Sequence, residues 1–259
     1  MSATGTFAPR PGSAPLARQV VAQARMETVL LLRNGEQLLL ALVIPVLVLT
    51  GGVLAARQLD LSLSSTAIDD LTPGVLALAI MSTAFTSLAI ATGFERRYGV
   101  LKRLGASPLP RHGLLLGKVL ALLLVEAVQV LVLSAVAFGL GWEPATTLRA
   151  LAGLLVMVAL GTAAFASLGL LIAGSLRAEA TLAAANLVYI LLAAGGGVVL
   201  PLSTYGGFGE VLAYLPSGAL GSGMRESLVA GTFPLDQSLV LLVWAVVATA
   251  LTARTFRWE

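Results

Sequence analysis

Few residues in this chain could do chemistry, and those that could stand far apart. Glu126 and Gln129 lie one helical turn apart in a long apolar run, and Asn186 sits in another. An ionisable group in such a run is costly in hydrocarbon and faces protein or a water-filled cavity. Glu126 offers two chemistries: attracting a cation or moving a proton, or a structural hydrogen bond to a neighbouring helix, for which Asn186 could serve. The three form a candidate intramembrane polar site. His112, the lone histidine, has no second ligand beside it and reads as a surface or interfacial residue. Gly113-Leu-Leu-Leu-Gly117-Lys118-Val119 has the outline of a phosphate loop. It is one residue short and lacks the Ser or Thr that would hold magnesium. Without cysteine there are no disulfides, thiolate metal sites or cysteine nucleophiles. Neither a catalytic constellation nor a metal site is expected, and nothing points to nucleic acid.

The elements that carry these residues belong in lipid. The 259-residue chain is 58% hydrophobic and 11% charged, with a mean hydropathy of +0.94. An ordinary soluble domain is about 25% charged. A crossing helix needs about twenty apolar residues. Six spans are expected, over about 37–55, 72–94, 113–140, 148–175, 180–200 and 235–252. Residues 1–15 read as a disordered tail without the apolar core of a signal peptide. Leu16, Val20, Val21, Ala24, Thr28 and Leu31 then recur at helical spacing among arginines, which predicts an amphipathic helix at the membrane surface. Pro45 falls inside the first span, and residues 57–70 form a polar, acidic loop. Residues 201–234 are glycine-rich, hold Pro201, Pro216 and Pro234, and have apolar stretches too short to cross. A re-entrant or surface-lying helical hairpin fits them. The glycines there and at 195–197 serve equally as gate hinges or simple turns. Gly153, Gly161, Ala164, Gly169 and Gly174 mark the fourth span for close helix packing. The fold class is thus all-α, a six-span membrane protein with an interfacial N-terminal helix.

Between the second and third spans lies the densest charge: Glu95, Arg96, Arg97, Tyr98, Gly99, Val100, Leu101, Lys102, Arg103 and Leu104. One reading is a solvated loop whose cations enforce topology. The other is a short helix, about 98–106, entered through Gly99, whose apolar strip of Val100, Leu101 and Leu104 docks on a partner inside a ring of charge. Basic residues in alternate loops fix orientation. Thirteen of the sixteen, including Lys118, fall on one side, and Arg57, Arg149 and Arg225 on the other. Both termini are therefore expected in the cytoplasm.

Phe94 through Leu104, followed by Ser107-Pro108-Leu109 and Leu116-Gly117-Lys118, resembles the signature of ABC-2 type transporter permeases. This sequence departs from it in having Lys102 and Arg97 where acidic residues are common. The Thr255-Phe256-Arg257-Trp258-Glu259 ending is similar to that of drug-exporter permeases of the daunorubicin-resistance type. The resemblance implies a membrane subunit of an ATP-driven exporter in the bacterial cytoplasmic membrane, with residues 16–259 as its transmembrane domain. Two permease chains would pair, as a homodimer, and each would receive an ATP-binding subunit on residues 95–104, around a coupling helix at about 98–106. ATP and Mg2+ would bind that subunit and no cofactor this chain. The cargo would be an amphiphile such as a drug, antibiotic, lipid or glycolipid. Two rivals stand beside it: a proton-coupled secondary transporter using Glu126, and a non-transport immunity or assembly module.

Overall fold

The computed structural model describes residues 12–58 and 67–256. Residues 1–11 of the expected tail, most of the 57–70 loop and the Arg257-Trp258-Glu259 ending lie outside them. The described residues are helices and turns, with no strand. Six helical stretches are long and apolar enough to cross a membrane. They are α2 (Gly35–Gln58), a continuous helix built of α3 (Ala67–Met81), a π-helical segment (Ser82–Ser87) and α4 (Leu88–Arg97), then α6 (Arg111–Gly139), α7 (Leu148–Ser175), α8 (Ala178–Gly195) and α11 (Leu235–Thr255). Non-spanning helices are α1 (Leu16–Arg33), α5 (Val100–Gly105), a 3-10 turn (Leu202–Phe208), α9 (Gly209–Leu212) and α10 (Pro216–Leu228).

The second span runs past its expected ends at 72 and 94. Asp69 and Asp70 in its first turn and Arg96 and Arg97 in its last complement the helix dipole, so the helix continues beyond its apolar centre. The fifth stops at Gly195 rather than 200, where Gly196 and the left-handed Gly197 end it. The second span is also the most enclosed, with 72% of its apolar window buried, and forms the axis of the bundle. Leu76, Ile80, Met81 and Phe85 meet Met157 and Phe165 of α7 and Leu220 and Met224 of α10. The Phe85 and Phe165 rings meet edge to face at 6.4 Å. The small residues of α7 admit these neighbours: Leu220 lies over Gly161 and the backbone of Phe85 against Gly169.

The irregular segment before the last span holds two different helices. Glycine and serine let α10 sit among α3, α7 and α11 with nearly every residue buried, which is re-entrant packing rather than a surface lie. Arg225 donates to the carbonyls of Val198 and Val199, which no helix pairs, and to that of Asp70 in the first turn of α3. The 3-10 turn and α9 instead expose Phe208, Val211 and Tyr214, and Trp244 Nε1 donates to the Tyr214 carbonyl at 2.9 Å.

At the opposite end of the bundle, α1 buries Val20, Gln23, Ala24 and Glu27, one helical face, along the first turns of α6. Gly117 permits the approach: a Cβ there would stand 2.6 Å from Gln23 Cγ.

Candidate functional site

Helix α4 must turn sharply where apolar sequence gives way to charge. Tyr98 N–H donates to the Phe94 carbonyl, Gly99 N–H donates to that of Arg96, and Gly99 takes a left-handed φ of 69°. Only glycine adopts that backbone freely, and α5 starts from it. Ser107 closes α5 by donating to the Leu104 carbonyl at 2.6 Å, and Pro110 caps α6. The expected helix at about 98–106 is therefore present as Val100–Gly105.

This corner divides the charged cluster. Glu95 turns inward, its Oε1 2.7 Å from Lys118 Nζ. Arg96 donates to the carbonyls of Gly174 (2.7 Å) and Leu176, which end α7 without helical partners. Arg97 pairs with Glu179 in the first turn of α8 and lies over the Tyr98 ring. Tyr98 stacks on Phe94. Leu101 is 2% exposed and belongs to the chain's own packing, and Leu104 is half-buried. The strip of Val100, Leu101 and Leu104 is thus split. Tyr98, Val100, Lys102 and Arg103 turn outward from the corner, beside the exposed Arg97–Glu179 pair.

Lys118 is held inside the bundle rather than in the loop. It is 4% exposed, two turns inside α6, and also lies 2.8 Å from Glu27 Oε1 of α1. Gln23 donates to the same Glu27 oxygen at 2.8 Å. One ammonium thus ties α1, α4 and α6 together. A buried charge needs such partners, and a lysine deep in an apolar helix was the available signal. It also removes the phosphate-loop resemblance, since the stretch is helical and its ammonium is taken.

Glu126 and Gln129 share a face of α6 but take different partners. Glu126 is fully buried, and the hydroxyl it meets is Thr162 on α7, not Asn186. Gln129 reaches α2, donating from Nε2 to the Ala41 carbonyl (2.9 Å) and exchanging hydrogen bonds with Thr83. Ala41 is four residues before Pro45, whose missing N–H leaves that carbonyl without its helical donor. Gln129 supplies one, and the helix carries on through Pro45.

Asn186 belongs elsewhere, on the wall of a cavity of about 640 Å³ between α2, the π-helical segment and α8. A π turn inserts an extra residue and often marks a functional position. Here it brings Ser82, Thr86 and Ser87 to the wall, opposite Asn186 and Tyr189, with Ile44, Pro45, Ile90 and Leu182 supplying apolar surface. Thr86 Oγ1 has no hydrogen-bond partner among the described residues. No carboxylate, lysine or arginine lines this wall. Neither Glu126 nor Gln129 reaches it. The π turn leaves no mark in composition or periodicity, so its hydroxyls were not legible beforehand. Among the described residues no group of acidic or histidine side chains could hold a metal ion.

The family model described as ABC-2 type transporter matches residues 14–228, which take in α1, the corner, the cavity and α10. No curated protein matches the chain.

Proposed function

The chain belongs to the ABC-2 type transporter family, and from that premise we propose that it is the membrane half of an exporter driven by ATP hydrolysis in a separate subunit. As a member it is a multi-pass transport permease, and permeases of this family generally work with an ABC ATP-binding subunit. The observation that carries the finer reading is the corner at Gly99. Tyr98, Val100, Lys102 and Arg103 face outward from a turn anchored to α1, α6, α7 and α8 through Glu95, Arg96 and Arg97. A partner pushing on α5 would therefore move four other elements at once. ATP and Mg2+ bind in that partner, and its ATP-bound and ATP-free forms would favour two arrangements of the bundle. The basic end then faces the cytoplasm.

The cavity between α2, the π-helical segment and α8 is the proposed cargo site. Hydroxyls and the amides of Asn34 and Asn186 beside aliphatic surface, without fixed charge, suit an amphiphile whose polar part is neutral. α2 and α8 bury the least of any span, 22% and 17% of their windows, which supports a second permease chain closing the cavity. A proton-coupled mechanism ranks second, because Glu126 is enclosed by α7 and stands apart from the cavity.

The test is co-purification from cells that also express an ABC ATP-binding subunit encoded beside this chain. Lys102→Glu with Arg103→Glu should reduce the retained ATPase to roughly a tenth or less, since like charges at an interface cost several kcal/mol. The permease itself should remain folded by size-exclusion chromatography, because both side chains are exposed. Unchanged retention of an active ATPase would refute the assigned surface.

A further inference from the structure

We propose that the groove between α1 and α6 is a site for one anionic phospholipid, with an acyl chain in the groove and the phosphate on Arg25. The groove is apolar, about 410 Å³, and walled by Val21, Ala24 and Val29 of α1 and Leu120 and Leu124 of α6, with Arg25 at its edge. It exists because α1 touches α6 along one line only. Gln23 and Ala24 press on Gly117 and Glu27 holds Lys118, which leaves the other side of the helix pair splayed. Val21 is 63% and Leu124 54% exposed, so this apolar surface needs a cover.

Charge complementarity selects the cover. Arg25 lies among the groove residues, and Arg18, two turns earlier on α1, falls on the same side of the helix. Both are exposed. Glu27, the carboxylate of this helix, is turned away into Lys118. The face over the groove is therefore cationic, beside the opening turns of a membrane-spanning helix. Basic residues there attract anionic lipid, which the cytoplasmic leaflet supplies. This last step rests on the orientation proposed above.

The test uses the purified full-length chain in neutral detergent, native mass spectrometry and a thermal unfolding scan. Phosphatidylglycerol and phosphatidylcholine with identical acyl chains are the probes. Phosphatidylglycerol should stay bound and raise the melting temperature, and phosphatidylcholine should do neither. Arg25→Gln should reduce retained phosphatidylglycerol roughly fivefold, the factor that one arginine near an anionic surface contributes. Leu124→Trp, which fills the groove from an exposed position, should displace the lipid with Arg25 intact. Arg254→Gln, an exposed charge at the same end of the bundle, should retain it. Equal binding of the two lipids would overturn the proposal, as would equal loss in the Arg254 and Arg25 variants, or retention in the Leu124 variant. Detergent carries no sidedness, so this outcome is independent of the orientation, which labelling in cells decides.

Discussion

Lys118 has the largest consequence of any single side chain. Removing one member of a buried ion pair leaves the others uncompensated and costs about 3–5 kcal/mol. Lys118→Met should therefore lower the melting temperature sharply. Adding Glu27→Gln and Glu95→Gln should restore most of the loss, because no charge is then stranded. A triple variant no more stable than Lys118→Met would mean that the ammonium matters for packing alone. The cluster at 95–104 was recognisable from its residue types, yet types did not say which side chains turn inward. Glu95 and Leu101 look as available as Lys102 in one dimension. Glu95 is drawn inward by Lys118 of α6, which Glu27 of the distant α1 helps to enclose. Glu126 was visible as an anomaly, whereas its partner Thr162 was not, since one hydroxyl among apolar residues gives no signal at distance.

Among the elements, α2 depends on α6 for a hydrogen bond that its own sequence forbids. Gln129→Leu should leave the Ala41 carbonyl unsatisfied, at about 1–3 kcal/mol. Pro45→Ala restores the helical donor, so the same Gln129→Leu change in that background should cost much less. Equal costs in the two backgrounds would show that the amide acts through Thr83 instead. The boundaries of the spans were mostly readable, and α7 occupies the residues expected of it. Their long apolar runs and flanking charges carry that information. The π-helical segment and the burial of α10 were not readable, because both answer to neighbouring helices rather than to local periodicity. Glycine and proline at 201–234 announced an irregular segment without saying that half of it would be enclosed.

For the whole molecule, the proposed orientation can be tested without background, since the chain has no cysteine of its own. Ala106→Cys, beside α5, and Glu143→Cys, between α6 and α7, place single exposed thiols at opposite ends of the bundle. In intact cells a membrane-impermeant maleimide should label Cys at 143 and spare Cys at 106 until the membrane is opened. The reverse pattern would invert the cytoplasmic assignment. Lys118 also sets an order of assembly. Glu27 leaves the ribosome about ninety residues before it, a gap of roughly 5–20 s at ordinary elongation rates. Throughout that interval α1 has no seat, and its carboxylate must wait in water while the first two spans enter the bilayer. The third span arrives carrying a cation that its neighbours are already placed to neutralise. Docking of α1 therefore waits on α6, and a nascent chain stalled before α6 should leave Glu27 open to solvent and α1 open to protease.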